Sequence, residues 1–412
     1  MARTLNACKG MNTTQQSPLS DRITALAESQ TIAMAKKARE LAAQGVDVIN
    51  LSFGEPDFQT PQYIKDAAKK AIEDGYTFYT PVPGYPELRK AIVEKLKRDN
   101  DLDYGIENIV VSTGAKQSIA NAVMCLVNPG DEVIIFSPYW VSYEEIVKLA
   151  EGVPVQVQGK IENDYKVTPE QFEAAITPKT KLVMYSSPCN PTGSVFTKDE
   201  IEAFARILEK HPQVHVMADE IYEYINFSGD FYSMARIESV KDRVITVNGF
   251  SKGYAMTGWR VGYIAAHKDI ASACDKMQSQ ITSGTCSIAQ KAAQAALEGG
   301  KASAEEMSAS YLRRRDLVLG LMNDIPGFKT YVPKGAFYIF PDVSDFFGKS
   351  VNGKVIENSN DLAMFLLNDA HVSLVSGEAF GAPQCIRFSF AASDAKLIEA
   401  LERIKASLAK LA

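Results

Sequence analysis

The sequence predicts an α/β fold with a mainly parallel sheet, because strand-like runs and helical patterns alternate along its middle part. Apolar runs at residues 108–111, 131–136, 181–186 and 214–218 have the length and β-branched content of buried strands. An amphipathic pattern at residues 198–210 lies between two of them, as in a βαβ crossover. Polar residues follow each run, at the sheet edge where open α/β sheets bind ligands.

Composition and charge narrow the class of protein. The 412 residues suffice for two domains, and 46% hydrophobic with 23% charged residues are typical of a soluble globular chain. The formal net charge is −6, and no long run of Lys or Arg could follow a phosphate backbone. No apolar stretch approaches the roughly 20 residues that span a bilayer. We therefore expect neither nucleic acid nor membrane as a partner.

Cysteine and histidine usage indicates a reducing compartment and no metal site. The six cysteines are scattered without a C-x-x-C pair, as expected for free thiols in the cytoplasm. The four histidines do not form an H-E-x-x-H motif or approach a cysteine pair. Residues 1–20 are polar and lack an apolar face, which predicts a flexible N-terminal extension.

The first part of the globular chain contains a glycine turn suited to a ligand. A helical pattern over residues 23–43 precedes a strand-like run at residues 46–53. The run leads into G-E-P-D-F, in which Gly54 permits close backbone approach to a bound molecule. Such a turn alone is weak evidence for a site.

The segment S-T-G-A-K-Q, residues 112–117, predicts an anion site. It joins a strand to a helix, so that Gly114, Ala115 and Lys116 would present unpaired N–H groups and the positive end of the helix dipole. An ordinary β-to-α connection is the alternative. Neither a P-loop nor a dinucleotide fingerprint is present here.

Further polar or aromatic candidates follow the next strands. Trp140 could form the wall of a ring-binding site, or could only pack. Asn190 lies in S-P-C-N-P-T-G, and Asp219 and Tyr222 lie in D-E-I-Y. A strand-end Asp could bind a protonated ring nitrogen, although capping a helix is its commoner role.

Lys252 and Arg260 lie close together in V-N-G-F-S-K-G-Y-A-M-T-G-W-R-V-G-Y, between two strand-like runs. An amine held near another cation in a desolvated site loses its proton more easily and becomes a nucleophile for aldehydes. The alternative is a solvated loop lysine. Near the C-terminus, Arg387 lies among apolar residues, where a guanidinium needs an anion: a ligand carboxylate or a structural salt bridge.

The segment S-K-G-Y-A-M-T-G-W-R resembles the cofactor-lysine signature of class I pyridoxal-phosphate (PLP) aminotransferases, most closely the aspartate aminotransferases of subgroup Iβ. Asn190, Asp219, Lys252 and Arg260 follow at spacings of 29, 33 and 8 residues, which match that family. The resemblance covers the chain from about Ser20 onward. It implies fold type I, with a seven-stranded-type sheet, a smaller α+β domain and a homodimer.

The implied domains are a large PLP-binding domain at residues 65–305 and a small domain at residues 21–64 and 306–412. The resemblance also implies catalytic roles for three residues: Lys252, Asp219 and Tyr222. PLP would form a Schiff base with Lys252, and further cofactor contacts would come from Gly114, Ala115, Lys116, Trp140, Asn190, Asp219, Tyr222, Ser251, Arg260 and, from the neighbouring subunit, Tyr79. The implied substrate contacts are Gly54, Trp140, Asn190, Arg387 for the α-carboxylate, and Ser29, Thr31 and Lys116 for a distal carboxylate.

Two positions depart from the family pattern: Cys189 replaces the first asparagine of N-N-P-T-G, and Gly249 stands where many relatives carry a phosphate-binding serine. Ser251 could partly replace that serine.

The expected activity is ping-pong transamination of L-aspartate with 2-oxoglutarate, with Lys252 as base and acid. The alternatives are a broader aromatic or prephenate aminotransferase, or a lyase or decarboxylase on this scaffold. A PLP-binding regulator would need a DNA-binding module, and residues 1–20 are too short to form one. A nicotinamide dehydrogenase is disfavoured because the glycine fingerprint is missing.

Overall fold

The computed structural model describes residues 18–27, 30–229 and 231–412. In these residues the helices are α1 Asp21–Thr24, α2 Gln30–Ala43, α3 Gln62–Glu73, α4 Pro86–Asn100, α5 Ala115–Leu126, α6 Ser142–Leu149, α7 Pro169–Ala175, α8 Lys198–Lys210, α9 Lys268–Ile281, α10 Ser287–Glu298, α11 Ala302–Asn323, α12 Ser359–Phe365 and α13 Asp394–Leu408. The strands are β1 Ile49–Asn50, β2 Ile109–Ser112, β3 Glu132–Ser137, β4 Val153–Gln158, β5 Thr180–Ser186, β6 His215–Asp219, β7 Val244–Gly249, β8 Gly262–Ala265, β9 Tyr338–Ile339, β10 Ser350–Val351, β11 Lys354–Val355, β12 Val372–Ser373, β13 Val375–Ser376 and β14 Ile386–Ser389. None of these helices is both long and apolar enough to cross a bilayer.

The centre of the molecule is a seven-stranded sheet in the order β2-β8-β7-β6-β5-β3-β4. Strands β4, β3, β5, β6 and β7 run parallel, whereas β8 is antiparallel to both of its neighbours. The predicted α/β fold with a mainly parallel sheet is therefore confirmed. The register places Ser186, Asp219 and Val247 side by side at the carboxyl ends of β5, β6 and β7.

Both faces of the sheet are covered, which explains why its strands are almost continuously apolar. In β3, Ile134 and Phe136 belong to one buried cluster, and Val133 and Ile135 belong to the cluster on the opposite face. A separate core packs α11 and α13 against the short sheet β13-β14-β9. The division of the chain at residues 65 and 305 stays a prediction.

Helix α8 has the bounds that its sequence pattern predicts. Thr197 accepts a hydrogen bond from the backbone N–H of Glu200, and the Glu200 side chain accepts from the N–H of Thr197, so a capping box fixes the start. Helix α5 begins at Ala115, inside the segment S-T-G-A-K-Q, because Gly114 adopts φ +86° and turns the chain into the helix. Ala115 and Lys116 therefore lie in its first turn.

Two strand predictions need correction. The run at residues 46–53 forms only the two-residue strand β1, paired with β12, and residues 51–53 continue without a ladder toward the site. Strand β4 was not predicted, since it lies at the sheet edge, contains Pro154 and has partly exposed residues.

Candidate active site

A cavity of about 350 Å³ opens at the carboxyl ends of β5 and β6 and continues toward the N-terminus of α5. This volume suits a cofactor or small substrate. The cavity brings together most of the residues that the sequence marks as candidates: Thr31, Gly54, Ala115, Lys116, Trp140, Asn190, Asp219, Tyr222, Ser251, Lys252, Arg260 and Arg387.

Three other candidates do not line this cavity. Gly114 lies directly behind it as the N-cap of α5. Tyr79 is fully exposed on the surface of its own chain. Ser29 lies outside the described residues.

The Lys252 amine is the reactive candidate at the centre of the cavity. Its Nζ donates a hydrogen bond to the carbonyl oxygen of Gly54 at 2.5 Å. Burial, together with the positive charge of Arg387, lowers the pKa of Lys252 to about 8. A larger fraction of this amine is therefore neutral near pH 7 than of an ordinary lysine, which favours attack on a carbonyl carbon and proton transfer.

Asp219 is a buried carboxylate whose charge faces the cavity. The Tyr143 hydroxyl donates to its Oδ2 at 2.7 Å, and the backbone N–H of Ile221 donates to its Oδ1 at 3.2 Å. Burial nevertheless raises the pKa of Asp219 to about 6. A cationic ring nitrogen at this position would compensate the buried charge, so Asp219 fits the protonated pyridine nitrogen of PLP.

The opposite end of the cavity fits a phosphate. Helix α5 directs its first N–H groups there, and a Cβ at Gly114 would collide with the guanidinium of Arg260. Burial and the charge of Arg260 lower the pKa of Lys116. Two cations placed close together repel each other and are stabilised by a bound anion.

Trp140 supplies a flat wall between these two ends. The Lys116 Nζ lies 4.9 Å from the centroid of the indole ring. The Tyr143 ring contacts the indole edge-on, with the two ring centroids 5.6 Å apart. Since the indole also lines the cavity, the arrangement fits a flat aromatic ring with a phosphate at one end and a basic nitrogen at the other.

Arg387 is only 2% exposed, yet in the described residues it has no carboxylate partner. Its Nη1 donates to Asn190 Oδ1 at 2.9 Å and its Nη2 donates to the Ser52 carbonyl at 2.6 Å. A structural salt bridge, one of the two sequence-based interpretations, is therefore absent from this part of the chain. A buried guanidinium with neutral partners favours binding of a carboxylate from outside the chain.

The two departures from the family pattern have local explanations. Cys189 Sγ lies 3.6 Å from the Pro138 carbonyl oxygen and does not line the cavity. A Cβ at Gly249 would lie 2.9 Å from the Gly262 Cα, so the close pairing of β7 and β8 leaves no room for serine there. Ser251 lines the cavity instead.

Sequence reasoning identified Trp140 but missed Tyr143 in the same segment. Tyr143 lies three residues after Trp140, about one helical turn away, and that spacing could have identified it as a neighbour. The remaining cavity residues are mostly apolar or flank the predicted motifs: Ile32, Phe53, Glu55, Ile119, Val141, Ser142, Ser186, Ile221 and Thr257.

Comparison with known proteins places the chain in a family. The family model for aminotransferase class I and II matches residues 46–404. The aspartate/prephenate aminotransferase of Cereibacter sphaeroides is 48% identical over 396 residues, which cover 95% of this chain and 99% of that protein. A bifunctional aspartate aminotransferase and glutamate/aspartate-prephenate aminotransferase of Petunia hybrida is 47% identical, covering 95% of this chain and 82% of that protein.

Solved structures agree with the sequence matches. The aspartate aminotransferase from Rhizobium meliloti has a TM-score of 0.93 at 42% identity, covering 96% of this chain and 100% of that chain. The Thermus thermophilus aspartate aminotransferase with maleate has a TM-score of 0.90 at 40% identity, covering 95% of this chain and 100% of that chain. The chain therefore belongs to the class I and II aminotransferases, which use PLP as their cofactor.

Proposed function

We propose that this enzyme transfers the amino group of L-aspartate to 2-oxoglutarate by a ping-pong route, giving oxaloacetate and L-glutamate. The observation that carries the proposal is the pair of anion-binding positions in one cavity. Arg387 is buried without a carboxylate partner among the residues that the structure describes, and Lys116 and Thr31 line the same cavity. A dicarboxylic substrate could use both positions, and two of the similar structures are named aspartate aminotransferases, one of them with the dicarboxylate maleate.

PLP would be held by residues from several elements of the large sheet and its loops. Asp219 would hold the proton on the pyridine nitrogen, and Tyr222 and Asn190 would contact the ring oxygen. Trp140 would cover the ring face. The phosphate contacts would come from Gly114, Ala115, Lys116, Ser251 and Arg260.

The proposed mechanism assigns substrate orientation to Arg387 and proton transfer to Lys252. When bound, PLP supplies an electron sink for the charge that develops at the substrate Cα. Arg387 binds the α-carboxylate through bidentate hydrogen bonds and so orients the Cα–H bond toward Lys252. Lys252 then removes the proton from Cα as a base and later returns a proton as an acid. Its pKa of about 8 allows both roles near neutral pH.

A prephenate or aromatic aminotransferase is the second candidate, favoured by the printed names of the Cereibacter and Petunia relatives. Both candidates need Lys252 and Arg387, but they differ at the distal end of the substrate. Aspartate presents a second carboxylate close to its α-carbon, which Lys116 would hold, whereas the phenyl ring of an aromatic amino acid needs no cation.

The variant Lys116→Ala separates a preference for aspartate from a preference for aromatic amino acids. Loss of a hydrogen bond to a charged group costs about 1.5–3 kcal/mol, so kcat/KM for L-aspartate should fall roughly 10- to 100-fold while that for L-phenylalanine changes little. Oxaloacetate and phenylpyruvate formation with 2-oxoglutarate would be measured. Lys90→Ala, which changes an exposed lysine on α4, is the control. An equal loss for both amino acids would contradict the distal role of Lys116.

We also propose a homodimer located in the cytoplasm. Tyr79 is fully exposed and its neighbour Phe78 is 83% exposed, so two large aromatic side chains lie uncovered on one segment. A partner subunit would cover them, and Tyr79 would then reach the partner's cofactor phosphate. Sedimentation should give a mass twice the 45.1 kDa of one chain, and a monomer that is fully active would contradict this proposal. Cell fractionation would test the location.

A further inference from the structure

The hydroxyl of Tyr338 lies between several cavity residues, although Tyr338 itself does not line the cavity. Tyr338 is in β9, which joins β14, the strand that carries Arg387. It is fully buried, its hydroxyl lies 2.8 Å from that of Tyr222, and the Arg387 guanidinium lies 4.6 Å from its ring centroid. Packing against the Arg387 guanidinium explains why an aromatic ring is present at this position, but it does not explain why the ring has a hydroxyl group.

Gly54 shows how closely this hydroxyl is enclosed. A Cβ at Gly54 would lie 2.7 Å from the Tyr338 oxygen, and the next nearest ring atom, Cζ, would be 3.7 Å away. The carbonyl of the same glycine accepts the hydrogen bond from Lys252 Nζ. The Tyr338 oxygen therefore occupies a position that only a glycine at residue 54 leaves free.

The two tyrosine hydroxyls hold one proton each near neutral pH, because burial raises the pKa of both. A hydroxyl donates only one hydrogen bond at a time. If Tyr222 donates its proton to an acceptor in the cavity, the 2.8 Å contact requires Tyr338 to be the donor to Tyr222. The charge of Arg387 opposes the rise in the pKa of both hydroxyls, so the direction of this hydrogen bond is set by the acceptor that Tyr222 faces in the cavity.

We infer that Tyr338 is a positioning residue, which donates a hydrogen bond to Tyr222 and thereby directs the single Tyr222 proton into the cavity toward the ring oxygen of the cofactor. The inference rests on the proposed contact between Tyr222 and PLP. Hydrogen bonds in a chain polarise one another, so Tyr338 also strengthens the bond that Tyr222 donates. Tyr338 touches neither substrate nor cofactor and acts only through Tyr222.

A spectroscopic titration of the holoenzyme without substrate tests the inference. A bond donated to the ring oxygen makes that oxygen less basic, so weakening the bond should raise the pH midpoint of the cofactor's visible absorption band. We expect Tyr338→Phe to raise the midpoint by roughly 0.2–0.6 pH unit and Tyr222→Phe by about one unit or more. Tyr311→Phe is the matched control, since it removes another buried hydroxyl of the same core, one without a hydrogen-bond partner in the described chain.

A second experiment tests the position of the hydroxyl on the apoprotein. Gly54→Ala should lower the melting temperature of the otherwise native chain by roughly 1–3 °C, because the new methyl group collides with the Tyr338 oxygen. In the Tyr338→Phe background the ring atom nearest to the new methyl group would lie at ordinary contact distance. Gly54→Ala should therefore lower the melting temperature much less in that background. Equal losses in both backgrounds would overturn the inference.

The outcomes distinguish this inference from the proposed function. If Tyr222→Phe raises the pH midpoint of the absorption band, but Tyr338→Phe gives the same midpoint as the Tyr311→Phe control, the inference about Tyr338 is wrong and the proposed role of Tyr222 stands. If Tyr222→Phe does not change the pH midpoint, both the inference about Tyr338 and the proposed role of Tyr222 are wrong. Failure of L-aspartate to react with the native holoenzyme would refute the proposed substrate and leave the titration intact.

Discussion

Within the described residues, three wholly or partly buried ionisable side chains form no ion pair: Lys252, Asp219 and Arg387. Burial lowers the pKa of Lys252 to about 8 and raises that of Asp219 to about 6, because desolvation disfavours the charged form of each group. Cofactor and substrate would provide the missing charges. The same feature therefore reduces the stability of the apoprotein and favours ligand binding.

Glu220, next to Asp219 in sequence, is a buried acid that the proposed mechanism does not use. Ser233 donates to its Oε1 at 2.6 Å, while Oε2 has no hydrogen-bond partner within the described residues. Burial raises the pKa of Glu220 to about 8 from an ordinary value of 4.5. The folded state therefore retains a proton that the unfolded chain has already released between these values.

This difference predicts that Glu220 makes the apoprotein less stable as the pH rises from about 5 to 8. The folded state binds more protons there, so the free energy of unfolding falls by up to about 1.4 kcal/mol per pH unit from this residue alone. Urea denaturation of the native chain and Glu220→Gln should show the variant gaining stability relative to the native chain as the pH rises. A constant difference between the two proteins would contradict the assigned pKa.

At the scale of elements, a buried polar network fixes the turn that follows β6. Glu223 forms an ion pair with Lys95 of α4 and accepts a hydrogen bond from Asn100 Nδ2 at 2.7 Å. Lys95 Nζ also donates to Asn100 Oδ1 at 2.6 Å. Since Tyr222 immediately precedes Glu223, the network anchors the far side of the segment that carries the cavity residues Asp219, Ile221 and Tyr222.

Breaking this network should be costly. Lys95→Met leaves the buried Glu223 charge unpaired and should reduce the free energy of unfolding by about 3–5 kcal/mol, measured by chemical denaturation. The double variant Lys95→Met/Glu223→Met should lose less, because no buried charge remains. Lys70→Met, which removes an exposed ion pair with Asp74 on α3, should change stability by less than about 1 kcal/mol. Similar losses for Lys95→Met and Lys70→Met would show that the buried pair has no special role.

Sequence patterns predicted elements well where local and tertiary preferences agree. Helix α8 combines a capping box with a buried apolar face that includes Ile201 and Phe204, and its predicted bounds match the structure. Strand β4 depends instead on pairing with β3, since its own residues include Pro154 and exposed side chains. The apolar run before Gly54 looks like a full strand, but only Ile49 and Asn50 find a partner strand.

Across the whole molecule, the cavity combines residues from α2 near the start of the chain to β14 near its end. The family motif and its spacing were enough to propose Asn190, Asp219, Lys252 and Arg260, and Arg387 was proposed from its apolar neighbours and the family resemblance. The hydroxyl contacts of Tyr143 and Tyr338 depend on how strands and helices pack at a distance. Local patterns carry no information about such contacts.

The most direct test of the account is the visible absorption of the purified holoenzyme before and after adding L-aspartate alone. The account predicts that the band of the lysine-linked cofactor disappears with L-aspartate and returns with 2-oxoglutarate, and that L-phenylalanine changes it less. Lys252→Ala should fold, lack this band and show no turnover. A native band that L-aspartate leaves unchanged would contradict the proposed substrate, and the absence of any band after PLP is supplied would contradict the role of Lys252.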